Sequence, residues 1–221
     1  MKNITTLLGI LVATFLLWGT ALTASGRGQS WPLADGWVSL FNGKDLTGWK
    51  PSENESTFSV KDGVIVAHGP RSHCFYVGDY HNHTFTNYEL KVDVMTEANS
   101  NGGIYIDTEF QAGWPGKGFE VQVNNTYNTD PRRTGSLYEV SDVHEQLIPD
   151  HKWFTEDILV KDSTIVVKLD DKEVVNWTQP ADWAGTKDFK GRRIQPGTIA
   201  LQAHDPGSTV YYKNIRIKVL D

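Results

Sequence analysis

Cys74 is the only cysteine in this 221-residue chain. No internal disulfide can brace the fold, which must stand on its core alone. With no activating partner near it in sequence, that thiol reads as a small buried hydrophobe and not as a nucleophile. Positive charge is also short: 21 Lys and Arg stand against 27 Asp and Glu, for a net charge of −6. That balance argues against nucleic acid and anionic membrane as partners, both of which call for basic patches. No window carries an apolar stripe of helical period over three turns, so a helical fold is not expected. Also missing are a His-Glu-x-x-His helix, a compact Cys/His zinc spacing, a phosphate loop and a Gly-x-Ser-x-Gly elbow.

Long apolar runs are absent apart from Leu7 to Leu17, which is too short to span a bilayer comfortably. Lys2 precedes it and the small or polar residues Gly19 to Ser25 follow it. Together they read as a secretory signal peptide over residues 1–24, cut near Ala24. Residues 25–36 then form a polar linker containing Pro32, and residues 37–221 form one domain. The expected location is the periplasm or the medium, with no lasting membrane association once the leader is removed.

From Trp37 onward almost every segment reads as a strand. Tyr88, Leu90, Val92 and Val94 alternate with Glu89, Lys91 and Asp93, a period of two. Thr57 to Val60 and Val64 to Val66 flank Asp62-Gly63, which predicts a hairpin. Strands at Ile158 to Val160, Ile165 to Leu169 and Glu173 to Trp177 form a meander, and Thr198 to Ala203 and Val210 to Val219 close the chain. Short strands separated by Gly, Pro, Asn and Asp predict an all-β fold, a two-sheet antiparallel jelly-roll sandwich.

In Phe119-Glu120-Val121-Gln122-Val123 the apolar residues face the core, so Glu120 and Gln122 share the opposite face about 7 Å apart. By the same logic Tyr105 and Asp107 point away from Ile104 and Ile106. If the two segments pair, these four residues form one polar and aromatic patch. The bland reading of that patch is a solvated sheet face. Eight Trp and eight Tyr suit the stacking of sugars, though they serve equally well as core. His81-Asn82-His83 places two rings on one side of an extended segment, but surface or structural histidine is the better reading there. The sequence points to no definite cofactor; a divalent cation held by carboxylates and carbonyls at the edge of the sandwich is the candidate, and no motif locates it. The Glu-x-Asp-x-x-Glu strand of sandwich endoglucanases is missing, which disfavours ordinary retaining hydrolysis.

Leu40-Phe41-Asn42-Gly43-Lys44-Asp45-Leu46-Thr47-Gly48-Trp49 resembles the opening signature of the 3-keto-disaccharide hydrolase domain family. Asn101 to Ile104, Gly118 to Val123, Thr134 to Tyr138 and Leu201 to Asp205 resemble its later motifs, in order. The resemblance implies a concanavalin A-like lectin/glucanase fold and cleavage of glycosides already oxidised at carbon 3. It implies Glu120 as acid or base and His204 as the second proton-transfer group. Gln122 would orient the sugar, with Tyr105 and Tyr138 contacting it. Asp107 stands where many members carry Arg, which makes it a candidate substrate contact. The closing motif reads Gln-Ala-His-Asp where Gln-Asp-His-Gly is common, and Asp107 with Asp205 could hold a cation if the two approach. Noncatalytic carbohydrate binding on the same sheet face is the alternative function.

Overall fold

The alternation at residues 88–96 becomes a nine-residue strand whose Tyr88, Leu90, Val92 and Val94 are fully buried while their polar neighbours stay half-exposed. This computed structural model describes residues 30–221; the expected leader and the first residues of the linker lie outside the described residues. The strands are β1 (Trp31–Pro32), β2 (Val38–Ser39), β3 (Trp49–Pro51), β4 (Phe58–Lys61), β5 (Val64–His68), β6 (Ser72–Tyr76) and β7 (Tyr88–Thr96). They continue with β8 (Gly102–Thr108), β9 (Phe119–Val123), β10 (Phe154–Lys161), β11 (Thr164–Leu169), β12 (Lys172–Thr178), β13 (Thr198–Ala203) and β14 (Thr209–Val219).

Two antiparallel sheets result, as the sequence predicts. The larger runs β1-β2-β14-β7-β10-β11-β12, with the β4–β5 hairpin attached to β14, and the smaller runs β3-β6-β13-β8-β9. Asp62 and Gly63 both take positive φ at the β4–β5 turn, the geometry that matches the twist of paired strands. Between the sheets lies one apolar core containing Phe58, Leu90, Ile104, Val121, Leu201 and Ile217. Cys74 is part of it, and burial pushes its thiol far above the usual range, so it is an inert core residue.

In the larger sheet β7 alternates strictly between buried and half-exposed residues, while β10 and β11 each carry a run of three buried residues. The smaller sheet shows no alternation: every residue of β6, β8, β9 and β13 is buried. Its second face is roofed by the connections after β8, β9 and β12 instead of meeting solvent. Gly118 makes one of these joins possible. It enters β9 at φ +72, and a Cβ there would lie 2.0 Å from the Ile106 carbonyl oxygen.

Two local expectations are corrected. Residues 81–83 are not extended; they form part of a tight 3-10 turn, Tyr80–His83, with φ near +50 at all three positions. Asp107 does not share the face of Tyr105. It takes φ +54 opposite a register shift in β13, which reverses the direction of its side chain. The Tyr88 hydroxyl donates to its Oδ1 at 2.8 Å inside the core, and burial pushes its pKa up to about 7. Asp107 sits at the Thr198 end of the β8–β13 pair, whereas Asp205 follows the Ala203 end, so the two acids form no cation pair.

A second buried acid breaks the apolar pattern of the core. Glu156 faces inward on β10 beside Phe154 and Ile158, fully buried, with no hydrogen-bond partner for either oxygen. Burial holds its pKa well above the usual carboxylate range and so favours the neutral form in the folded protein. A raised folded-state pKa contributes stability that is complete below the unfolded value of about 4.3 and is lost as pH climbs toward the folded value. Thermal unfolding followed from about pH 5 to about pH 9 should therefore show a falling melting temperature in the parent. In Glu156→Leu the fall should be shallower and the alkaline melting temperature higher; an unchanged slope would clear Glu156 of the effect.

Candidate active site

The register of three neighbouring strands assembles the site. Tyr105 on β8 lies opposite Glu120 on β9, and Gly103 lies opposite both Gln122 on β9 and Gln202 on β13. Residues paired across antiparallel strands share a face, so Tyr105, Glu120, Gln122 and Gln202 converge on the roofed side of the small sheet. Gly103 leaves the room they need: a Cβ there would meet Glu120 Oε1 at 2.9 Å.

Glu120 is the centre of this cluster. Its Oε2 accepts the Tyr105 hydroxyl at 2.7 Å and its Oε1 accepts Gln202 Nε2 at 2.9 Å. With its amide oriented to satisfy its neighbours, Gln122 donates to Glu120 Oε1 at 3.2 Å and to the Gly102 carbonyl at 3.0 Å. Burial raises the Glu120 pKa, while the Arg192 charge and the hydrogen bonds from Tyr105 and Gln202 pull it back; the net displacement is upward. A carboxyl so placed is a stronger base than a solvated one and can also hold a proton nearer neutral pH.

Arg192, from the segment between β12 and β13, lies beneath the same cluster at 1% exposure, with Nη2 3.6 Å from Glu120 Oε2. Its guanidinium faces the ring of Phe189 at 4.5 Å and those of Tyr105 and Tyr138 at 5.6 and 5.8 Å. None of its three nitrogens has a hydrogen-bond partner. A buried cation with idle donors is costly unless something negative shares the space, and the Glu120 carboxylate is that neighbour.

His204 follows β13 directly. Its Nδ1 lies 2.8 Å from Asp205 Oδ2, and Asp205 is fixed in turn by the Ser208 hydroxyl and the Gly207 N–H, each at 2.8 Å. Burial alone would raise the Asp205 pKa; the bonds from His204, Ser208 and Gly207 outweigh it and hold the group below the usual range. An ionised partner at Nδ1 sets the ring's orientation and leaves Nε2 as the nitrogen available for proton transfer. Asp205 thus serves as the orienting partner of His204, a role its place in the sequence motif did not reveal.

Tyr138 completes the wall. The Arg132 guanidinium lies 4.3 Å above its ring, and Arg132 is anchored by Asp130, Asp142 and Glu139 at 3.2, 3.3 and 3.5 Å. Burial pushes the Tyr138 hydroxyl up to about 12, so it acts as a neutral hydrogen-bonding group.

Of the six residues singled out from sequence, Tyr105, Glu120, Gln122, Tyr138 and His204 line one cleft, joined by Gln202, Asp130, Phe189 and Trp114. Asp107 is not among them. Gln202 was legible, because it alternates with Leu201 and Ala203 and precedes His204 by two. Arg192 lies in an irregular segment where no periodicity marks it. Among the described residues no group of three or more His, Cys, Asp or Glu side chains converges as metal ligands would.

A family model described as the 3-keto-alpha-glucoside-1,2-lyase-like domain matches residues 36–218. A 3-keto-disaccharide hydrolase from Bacteroides thetaiotaomicron is 25% identical, over 85% of this chain and 80% of its own length. A solved structure from Parabacteroides distasonis, provisionally described as a glycosyl hydrolase, superposes with a TM-score of 0.72 at 26% identity, covering 87% of this chain and all of that one. The β-glucanase of Bacillus licheniformis shares the fold alone, with a TM-score of 0.55 at 11% identity over 88% of this chain and 99% of that chain. The chain belongs to the 3-keto-alpha-glucoside-1,2-lyase-like domain family, and it carries that family's β-sandwich with one buried carboxylate at the centre of its cleft.

Proposed function

We propose that the protein cleaves glycosides oxidised at carbon 3, beginning with removal of the proton on carbon 2, and that it does so in the periplasm or outside the cell. The observation that carries this reading is the single buried Glu120 with a raised pKa, set among donors in a cleft of sugar-ring size. Hydrolysis through an oxocarbenium ion calls for two carboxylates flanking the bond. The other carboxylate on the cleft, Asp130, is committed to the backbone N–H and guanidinium of Arg132. One strong base suffices once a ketone at carbon 3 has acidified its neighbour.

Glu120 takes the carbon-2 proton, and the C–H electrons move into an enolate ending at the carbon-3 oxygen. Arg192, positively charged and rich in free donors, stabilises that developing charge from beneath. As the ketone re-forms, the bond from carbon 1 to the leaving oxygen breaks and His204 gives that oxygen a proton. Water then adds at carbon 1, His204 accepts its proton, and Glu120 returns one to carbon 2, so the net change is hydrolysis. Gln122 has its amide N–H groups on Glu120 and Gly102, so its carbonyl oxygen is the part free to accept a sugar hydroxyl. Tyr105 and Tyr138 bound the ring on either side.

The protein, given a 3-keto-disaccharide and its unoxidised parent in deuterated water, should release sugar only from the keto form. The product should carry deuterium at carbon 2. Cleavage of the parent sugar would overturn the reading; saturable binding of both sugars with no turnover would support the noncatalytic alternative. Glu120→Gln should lower kcat by about 10²–10⁴-fold with the fold retained, at a lower melting temperature because buried Arg192 loses its counter-charge. Asp205→Asn should lower kcat with little effect on KM, because it loosens His204 without touching substrate.

Arg192→Met tests the charge argument directly. A cation beside a carboxylate favours the ionised form, so its removal should raise the Glu120 pKa further and move the acidic limb of the kcat/KM profile to higher pH. A limb that stays in place would remove Arg192 from control of Glu120.

A further inference from the structure

From the form of the cleft we infer that the indole of Trp114 is the platform on which the leaving sugar of a disaccharide lies. This rests on the keto-glycoside reading above and extends it to the second ring. The cleft, open on one side, has a volume of about 150 Å³. Pockets that surround a whole drug-sized ligand run to roughly 300–1,000 Å³. One sugar ring is enclosed, and the other must rest on the rim.

The rim offers few surfaces for it. Among the described residues, the exposed large apolar side chains are Leu33, Phe110 and Trp114, at 49, 43 and 41% exposure. Of these, Trp114 alone lines the cleft. Phe110 lies against Phe75 with the Lys50 ammonium 4.6 Å over its ring. Phe189 also lines the cleft, but it is only half-exposed, packed on Arg192 at 4.5 Å and on Tyr138 at 6.3 Å. Trp114 also stands on the correct side, with its ring centroid 5.4 Å from that of His204, the group assigned to protonate the leaving oxygen. Tyr127 is also near His204, at 5.7 Å, but does not line the cleft, so a sugar whose bridging oxygen meets His204 has its ring over the indole. The axial C–H groups of a pyranose are the apolar face that packs on such a ring.

The platform is built to stay in place. The Arg71 guanidinium lies over one face of the indole, 5.1 Å from its centroid, which leaves the other face for the sugar, and it is itself held by two hydrogen bonds to Glu53, at 2.8 and 3.3 Å. The fully buried His73 ring meets the indole nearly at right angles, centroids 5.5 Å apart, with neither ring nitrogen partnered. Within the loop, Gln111 accepts from the Gly116 N–H and donates to the Trp114 carbonyl, and Lys117 pairs with Glu109 at 2.7 Å across its base. Holding an exposed indole in one orientation has no use to the core below it; it lowers the ordering cost of binding a ring above it.

The test compares two substrates of the intact protein: a 3-keto-disaccharide, and a methyl 3-keto-glucoside whose aglycone is too small to reach the rim. Trp114→Leu keeps an apolar side chain on His73 but removes the flat face, and Trp114→Phe keeps a smaller one. For the disaccharide, kcat/KM should fall about tenfold in Trp114→Leu, the size of one stacked aromatic contact, with Trp114→Phe between it and the parent. Turnover of the methyl glycoside should fall by a clearly smaller factor than that of the disaccharide, because its aglycone does not reach the rim. Equal losses on both substrates, or none on either, would overturn the platform while parent turnover of the methyl glycoside upholds the keto-glycoside reading. A parent inactive on both substrates would defeat that reading and the platform with it.

Discussion

Placing one carboxylate out of water on the face of a sheet is the constraint from which the site follows. Burial disfavours the charged form by several kcal/mol unless hydrogen bonds and opposite charge are supplied at the same spot. Glu120 receives them from three directions: Tyr105 from the next strand, Gln202 from the strand beyond, and Arg192 from a connection folded over the face. Each donor is a demand on the fold. The β8–β9 register must put Tyr105 opposite Glu120, Gly103 must carry no side chain, and the chain after β12 must return across the sheet. A slip of one residue in β9 would turn Glu120 into the core and expose Val121.

The two sheets share this work unequally. The larger one, alternating between core and half-exposed residues along β7, closes the back of the sandwich. The smaller one is buried on both faces, so its strands are held by apolar packing on one side and by a polar cluster under loops on the other. Apolar packing is tolerant of small shifts, whereas hydrogen bonds to a buried charge are not. The core thus fixes the strands well enough for the polar face to keep its distances. Glu156 is an exception, an acid whose neutral form the core favours, where an apolar residue would pack with less cost.

Strand alternation made most of this legible. Period two placed Tyr105, Glu120 and Gln122 on one face, and the closing motif brought His204 to the same end of the sheet. The same rule failed at Asp107, because alternation assumes an unbroken strand and φ +54 there turns the side chain over. A positive φ at a non-glycine residue leaves no compositional mark. The rule also mistook the surroundings, since the face opposite the core is roofed and not solvated. That roof is irregular chain, and so Arg192 and Trp114 carried no periodic signal. The family resemblance supplied the reaction class, which neither spacing nor composition could do. It did not supply the link from His204 to Asp205, which depends on a turn held by Gly207 and Ser208.

The arrangement also accounts for the absence of a second working carboxylate. Two acids flanking a glycosidic bond exist to manage positive charge forming on carbon 1. A ketone at carbon 3 reverses the problem, because the charge that must be stabilised is then negative and sits on oxygen. Idle N–H donors on a buried cation suit that charge, and a second acid beside it would oppose it. Arg192 without a hydrogen-bond partner is a liability for stability if the cleft only binds neutral sugars. It becomes intelligible if negative charge visits the space above it during each turnover. The same logic explains why Asp130 is neutralised by Arg132 at the cleft wall. On the proposed reaction, Arg192 faces the Glu120 carboxylate at rest and the enolate oxygen during turnover.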